Sequence, residues 1–356
     1  MRSLFSLLPL LALGWSTATA EIAFLKGTYA DAIARAKAEH KPVMIDFVTD
    51  WCRWCDTLDV RTYADPDVAD YVNARVVPIK IDAEKGEGIE IAKRYGVTAY
   101  PTILFVTAEG TEIDRLLGFL PPGPFLKGVD DYLNGRNTVA SLRAAAEASP
   151  GDAAAQLALA RKHQDRYDYA GMAASYTKVL ELDPSNALGA REEAEFQVAM
   201  ASFRLDKNPR QLADFAAKYP KAEQTRGAVS TLTRYHLKAK DGVAARTVYD
   251  TFMASSPGDH EMMNSYAWAC SQAKLNLDHA ATVAAEAVRI APGGNEKAMY
   301  LDTQAAVAFA AGKIDEAVTL ERRALDLMKN ASEKEKKGYE EALKKYTEAK
   351  EKPAGG

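Results

Sequence analysis

Apolar residues in the first third of the chain fall in short runs, whereas those in the rest recur at helical spacing. VMIDFV at 43–48 and VVPIKI at 76–81 have strand length and many β-branched residues, and they are followed by TILFV at 102–106 and by 112–117. Amphipathic segments separate these runs. Residues 28–39 read as a helix that Lys41-Pro42 stops, and 68–72 continues as helix after Ala64-Asp65-Pro66-Asp67. Residues 87–95 form a third helix, with Gly96 just past its end where a left-handed cap favours glycine, and 125–133 a fourth. A turn at Glu109-Gly110 joins the last two strands. Strands alternating with helices predict an α/β unit over 21–136.

Beyond Gly135 the pattern becomes Ala-rich and helical throughout. Helix-ending prolines recur at Pro150, Pro184, Pro220, Pro257 and Pro292, at intervals of 34, 36, 37 and 35 residues. A fixed period near 34 residues is the signature of paired-helix repeats. Leu180-Glu181-Leu182-Asp183-Pro184 and the stretch from Gly312 through Ala317 to Ala324 resemble tetratricopeptide repeats. About five repeats are expected across 152–330, within a repeat region of 137–332. The unit ending at Pro220 looks degenerate, because Asn208-Pro209 interrupts it. Residues 333–356 read as a Lys/Glu-rich capping helix and tail. Stacked helix pairs present a concave surface suited to a protein or peptide, although one sequence does not reveal which residues line it.

At 356 residues, with 47% hydrophobic and 26% charged residues, the chain has the composition of a soluble protein of two or more domains. A net charge of −4 without a basic stripe speaks against nucleic acid as a partner. Met1-Arg2-Ser3 leads into a short apolar run and then Ala18-Thr19-Ala20, so residues 1–20 are expected to be a cleaved signal peptide and the mature protein periplasmic or secreted. A membrane anchor is the alternative, but the run is short for a bilayer.

Export changes how the three cysteines are read. Trp51-Cys52-Arg53-Trp54-Cys55 follows the first apolar strand, and a helix beginning at Cys52 would favour a thiolate there, one turn from Cys55. Three readings follow: a redox dithiol, a structural disulfide, or part of a zinc site. A disulfide closing so short a loop removes little unfolded-state entropy. Zinc needs about four ligands, and His40, His163, His236, His260 and His279 show no ligand spacing, so redox chemistry is favoured and no metal is expected. Cys270, within Trp268-Ala269-Cys270, reads as buried and inert, with a regulatory or intermolecular thiol as the alternative.

The order of elements around the cysteine motif, together with Lys41-Pro42-Val43-Met44-Ile45-Asp46-Phe47, Asp65-Pro66-Asp67-Val68 and Pro101-Thr102-Ile103-Leu104-Phe105, resembles the thioredoxin family. Within it, the similarity is to the C-terminal domain of DsbD-type periplasmic disulfide reductases, over about residues 25–135. The resemblance implies an α/β thioredoxin fold followed by an all-α tetratricopeptide-repeat solenoid. It also implies Cys52 as the attacking thiol, Cys55 as the resolving thiol, and Asp46 as the buried acid that moves the Cys55 proton. Pro101 would be a cis-proline facing the cysteines, Tyr100 would offer backbone hydrogen bonds to a client, and Gly118 would let the client come close. Trp51, Arg53 and Trp54 complete the expected client-binding set. Arg53-Trp54 departs from the dipeptides of the relatives, and Arg53 adds positive charge that favours the thiolate and a more oxidising couple. The lysine that accompanies the buried acid in thioredoxin falls on Pro78, with Lys80 on the same strand face. The 46 residues from Cys55 to Pro101 leave no room for an inserted helical domain.

The expected activity is an exported thiol–disulfide oxidoreductase without a cofactor beyond its own cysteines, reducing disulfides in client proteins. A membrane thiol-redox relay would donate its electrons, and the repeats would hold a protein partner. The alternatives are a non-enzymatic repeat scaffold with a docking domain, and a disulfide oxidase or isomerase.

Overall fold

The computed structural model describes residues 21–351, so the expected leader at 1–20 and the last five residues lie outside it. The described chain divides into two compact units that part between Asp168 and Tyr169.

The first unit is built on a four-stranded sheet in the order β2-β1-β3-β4. Strand β1 (Val43–Val48) pairs in parallel with β2 (Val77–Asp82) and antiparallel with β3 (Thr102–Val106), which pairs antiparallel with β4 (Glu112–Leu117). Successive side chains of a strand point to opposite faces. Val43, Ile45 and Phe47 therefore join one core with Ala32 and Ala36 of α1 (Tyr29–Glu39) and Ile91 of α4 (Gly88–Arg94). Met44 joins the opposite core with Val68 and Val72 of α3 (Pro66–Arg75) and Phe125 and Val129 of α5 (Pro122–Leu133). Both faces of β1 are covered, which is why it reads as an unbroken apolar run. Asp46 is the exception, a carboxyl on the Met44 face at 1% exposure.

Cys52 is the N-cap of α2 (Arg53–Leu58), which passes directly into a π-helical turn, Asp59–Tyr63. Thr28 caps α1 through a reciprocal bond pair with Asp31, and Asp65 caps α3 with Pro66 at its first position.

The first unit extends past the boundary expected at residue 136, because α6 (Val139–Ala148) and α7 (Ala153–Asp165) are tied to β4. Asp114 on β4 is fully buried, accepts from the Val139 N–H at 2.8 Å and pairs with Arg166 at 2.5 Å and Lys162 at 3.3 Å. Removing Asp114 would leave the largely buried Lys162 ammonium without its carboxylate, so the tie is hard to break.

Helices alone make up the second unit. After α8 (Tyr169–Leu182), four pairs follow the proline period: α9 (Arg191–Asp206) with α10 (Arg210–Lys218), α11 (Glu223–Lys238) with α12 (Gly242–Ser255), α13 (His260–Ala273) with α14 (Leu277–Ile290), and α15 (Gly294–Ala310) with α16 (Ile314–Leu327). Asn208-Pro209 does not break its pair: Lys207 ends α9 in a left-handed conformation, and Pro209 opens α10 as its N-cap. Helices α11, α13 and α15 also pack on one another in succession, as the first helices of stacked pairs do. Small side chains permit the close approach, with Ala267, Ala280, Ala284, Ala287, Ala305, Ala317 and Ala324 buried in one core. The last helix, α17 (Glu333–Glu351), covers that core with Tyr346 and turns a Lys/Glu-rich face outward. Among the described residues no helix is long and apolar enough to cross a membrane.

Candidate functional site

Cys52 and Cys55 are joined in a disulfide with their Cα atoms 5.2 Å apart. As the N-cap, Cys52 accepts a hydrogen bond at its sulfur from the Cys55 N–H at 3.1 Å, and its carbonyl accepts from the N–H groups of Cys55 and Asp56. In the reduced chain the same donors and the helix N-terminus favour negative charge on the Cys52 sulfur. Each cysteine is only 5% exposed.

Two exposed tryptophans stand beside them. Trp51 meets Tyr100 edge to face with centroids 5.9 Å apart and donates from its indole to Glu84 at 3.0 Å. Trp54 stacks on Phe119 at 6.0 Å. Arg53 is exposed between them. Trp54 therefore belongs to an aromatic pair that bridges α2 and the segment after β4. Phe119 was invisible to sequence reasoning, and its only signal is its place next to Gly118.

The Tyr100–Pro101 peptide is cis. The Pro101 carbonyl accepts from the Gly118 N–H at 2.9 Å, one step beyond the Thr102–Leu117 pair of the β3–β4 ladder. Gly118 has φ +74°, a backbone that side chains disfavour, and a Cβ there would project into open space. Pro101 and Gly118, 17 residues apart in sequence, thus form one backbone ledge.

Asp46 lies across from Lys80 in the β1–β2 register, and the Lys80 Nζ stands 3.8 Å from its Oδ2. Lys80 thus brings an ammonium to the one buried acid of β1. Neither oxygen of Asp46 is held in a well-formed hydrogen bond, although the buried Tyr63 hydroxyl faces the carboxyl and favours its charged form. Burial pushes the Asp46 carboxyl up to about 7; the Lys80 charge opposes the rise, while the Asp59 carboxylate adds to it. Asp59 itself is hydrogen-bonded to Lys80. Asp59 and Tyr63 were missed in the sequence, although Asp59 follows Cys55 by four residues, the spacing that shares a helix face.

Cys270 is fully buried, and burial pushes its thiol up to about 11. In the same helical unit Glu321 is fully buried beside Asp302; burial foremost, and mutual repulsion, hold the Glu321 carboxyl well above its usual range. A groove of about 770 Å³ runs between α13, α15 and α17, with Trp268, Asp302, Phe309, Tyr339 and Lys345 in its walls. Among the described residues no three His, Cys, Asp or Glu side chains are grouped as metal ligands.

Comparison with known proteins agrees with this geometry. The family described as a thioredoxin-like domain matches residues 29–133. Thiol:disulfide interchange protein DsbD of Vibrio vulnificus (strain CMCP6) is 33% identical over 125 residues, which is 33% of this chain and 21% of that protein. The chain thus spans about a fifth of the length of the curated relatives it matches. The C-terminal domain of DsbD from Neisseria meningitidis, in its oxidised form, is 28% identical, with 29% of this chain and 90% of that one covered and a TM-score of 0.27. For the helical part, YrrB, described as a TPR protein with an unusual peptide-binding site, is 17% identical over 53% of this chain and 93% of its own, with a TM-score of 0.36. The chain therefore carries a thioredoxin-like domain of the disulfide-oxidoreductase type, similar to part of DsbD and bearing the Cys52–Cys55 pair, followed by an array of paired helices.

Proposed function

We propose that the protein is an exported thiol–disulfide oxidoreductase that reduces disulfides in client proteins, using only its own dithiol, with the helical array holding protein partners. The observation that carries this reading is the Cys52–Cys55 disulfide at a helix N-terminus, in a domain whose Asp46 is buried and near neutral in its titration.

In the reduced chain the Cys52 thiolate attacks one sulfur of a client disulfide. A Cys52–client bond forms, the client bond breaks, and the departing client sulfur takes up a proton. Asp46, ionised at that moment, accepts the Cys55 proton, and the Cys55 thiolate attacks the Cys52 sulfur. The Cys52–Cys55 bond forms and the second client sulfur leaves, to be protonated in turn. Two electrons have moved from chain to client. A dithiol donor outside the cytosol, such as a membrane relay, returns the chain to its reduced form. Pro101 and Gly118 offer the client a backbone edge, and Trp51, Trp54, Tyr100 and Arg53 supply the surrounding surface. The match to DsbD favours the reducing direction, against the pull of Arg53 on the thiolate.

Insulin reduction by the prereduced protein, compared with Cys52→Ser, tests the activity. Wild-type turnover with an inactive variant is expected; an equally active variant, or a wild type inactive on every disulfide substrate, removes the reading. Direction is tested by the equilibrium potential of the couple. A value near about −270 mV supports a reductant and one near about −120 mV overturns it in favour of an oxidant.

A further inference from the structure

Lys80 has two carboxylates within reach and satisfies only one of them. Its Nζ is hydrogen-bonded to Asp59 Oδ1, while Asp46 Oδ2 stands at 3.8 Å, beyond the 2.7–2.9 Å of a charge-assisted hydrogen bond. The rings of Phe24 and Tyr63 lie 5.0 and 5.5 Å from the same ammonium and restrict its movement. Solvent access falls steeply along the set: the Asp59 side chain is 42% exposed, Lys80 29% and Asp46 1%. The ammonium thus sits on a step between water and the interior, and the wetter carboxylate holds it.

We propose that Asp59 is a positioning residue: by engaging Lys80 it keeps the ammonium out of hydrogen-bond contact with Asp46, and so keeps that carboxyl able to accept the Cys55 proton. The inference rests on the dithiol chemistry proposed above. An Asp46 clamped by a full ion pair would be a poor base, because its charged form would already be satisfied. An Asp46 with no cation nearby would hold its proton too tightly to be ionised when needed. Asp59 sets the intermediate state. The helix itself explains why this residue can do so: α2 turns π-helical at Asp59, and Asp59 and Tyr63, four apart, both face Asp46 from that turn. The other groups opposite Asp46 are Lys80 on β2 and the apolar Ile103 on β3.

The test is a carboxyl-carbon NMR titration of Asp46 in the reduced full chain, together with the pH profile of the resolving step. Asp59→Asn is expected to lower the Asp46 midpoint by about one pH unit or more, since an opposite charge drawn into contact shifts a carboxyl by roughly that much. The acid limb of the profile should move with it, and Asp59→Glu should restore both. In a Lys80→Met background the same Asp59→Asn change should move the midpoint far less. An unmoved or raised midpoint in Asp59→Asn overturns the proposal, as does an equal shift with and without Lys80. The titration needs no client, so a chain that titrates as expected but reduces nothing would strike the proposed function and leave this inference standing.

Discussion

Each unit buries a cysteine and a carboxyl, and the two units treat them in opposite ways. In the sheet unit Cys52 and Cys55 open a helix, at its N-terminus, between exposed tryptophans. In the helical unit Cys270 lies inside α13, fully buried among apolar side chains. Asp46 has a lysine 3.8 Å away, and its carboxyl is poised near neutrality. Glu321 has another acid for a neighbour, and burial together with that neighbour holds its carboxyl well above the usual range. Burial alone makes an inert group; burial with one imperfect counter-charge, or at a helix N-terminus, makes a reactive one.

The cysteines give the largest test of this contrast. After reduction, alkylation at pH 8 followed by mass spectrometry should modify Cys52 much faster than Cys270. A thiol held near 11 is roughly 0.1% thiolate at that pH, and its burial slows access further. Comparable labelling of Cys270 in the folded chain would erase the distinction between the units.

The carboxyls give the next largest. The folded value of Asp46 is raised above its ordinary 3.8, so the folded state holds the proton more tightly than the unfolded chain. Its favourable contribution is complete below about pH 4 and is lost as pH rises to about 7. Asp46→Asn lacks this loss. Denaturant unfolding of the oxidised chain should show the variant more stable by up to about 4 kcal/mol at pH 8, from roughly three units at 1.36 kcal/mol each, and little changed at pH 4. Glu321→Gln should show the same sign in the helical unit, and only Asp46→Asn should slow disulfide exchange. Equal effects on exchange would mean that the two acids do not differ in kind.

Much of the active pair was legible in the sequence because it depends on local spacing. Strand, a short turn, N-cap and helix follow one another over 43–58, and Asp46 stands out as the one charge in an apolar run. Pro101 and Gly118 were read through the family resemblance, whereas their mutual hydrogen bond is a fact of strand pairing. Asp59, Tyr63 and Phe119 were not legible, since each matters through a partner on another element. The same holds for α6 and α7: their helical pattern matched the repeats, while Asp114, Lys162 and Arg166, which bind them to the sheet, look in sequence like ordinary surface charges. Periodicity reports which face of an element is buried and is silent about what buries it. The proline period was the more robust signal, because each proline stops a helix by its own chemistry whatever lies opposite.

The smallest effect uses a matched pair of glycines. Gly118 beside Pro101 and Gly312 after α15 have nearly the same left-handed backbone, φ +74° and +79°, and a Cβ at either would touch nothing within 4 Å. Replacement by alanine should therefore cost each unit a similar amount of stability, about 1 kcal/mol of backbone strain. The added methyl differs only in what it faces. At Gly118 it would project from the ledge proposed to receive a client, so Gly118→Ala should raise the KM for a protein disulfide severalfold with kcat little changed. Gly312→Ala should leave both constants alone. Because the strain is matched, a rise in KM unique to Gly118→Ala cannot come from lost stability, and an equal response in the two variants would place the client elsewhere than on the Pro101–Gly118 edge.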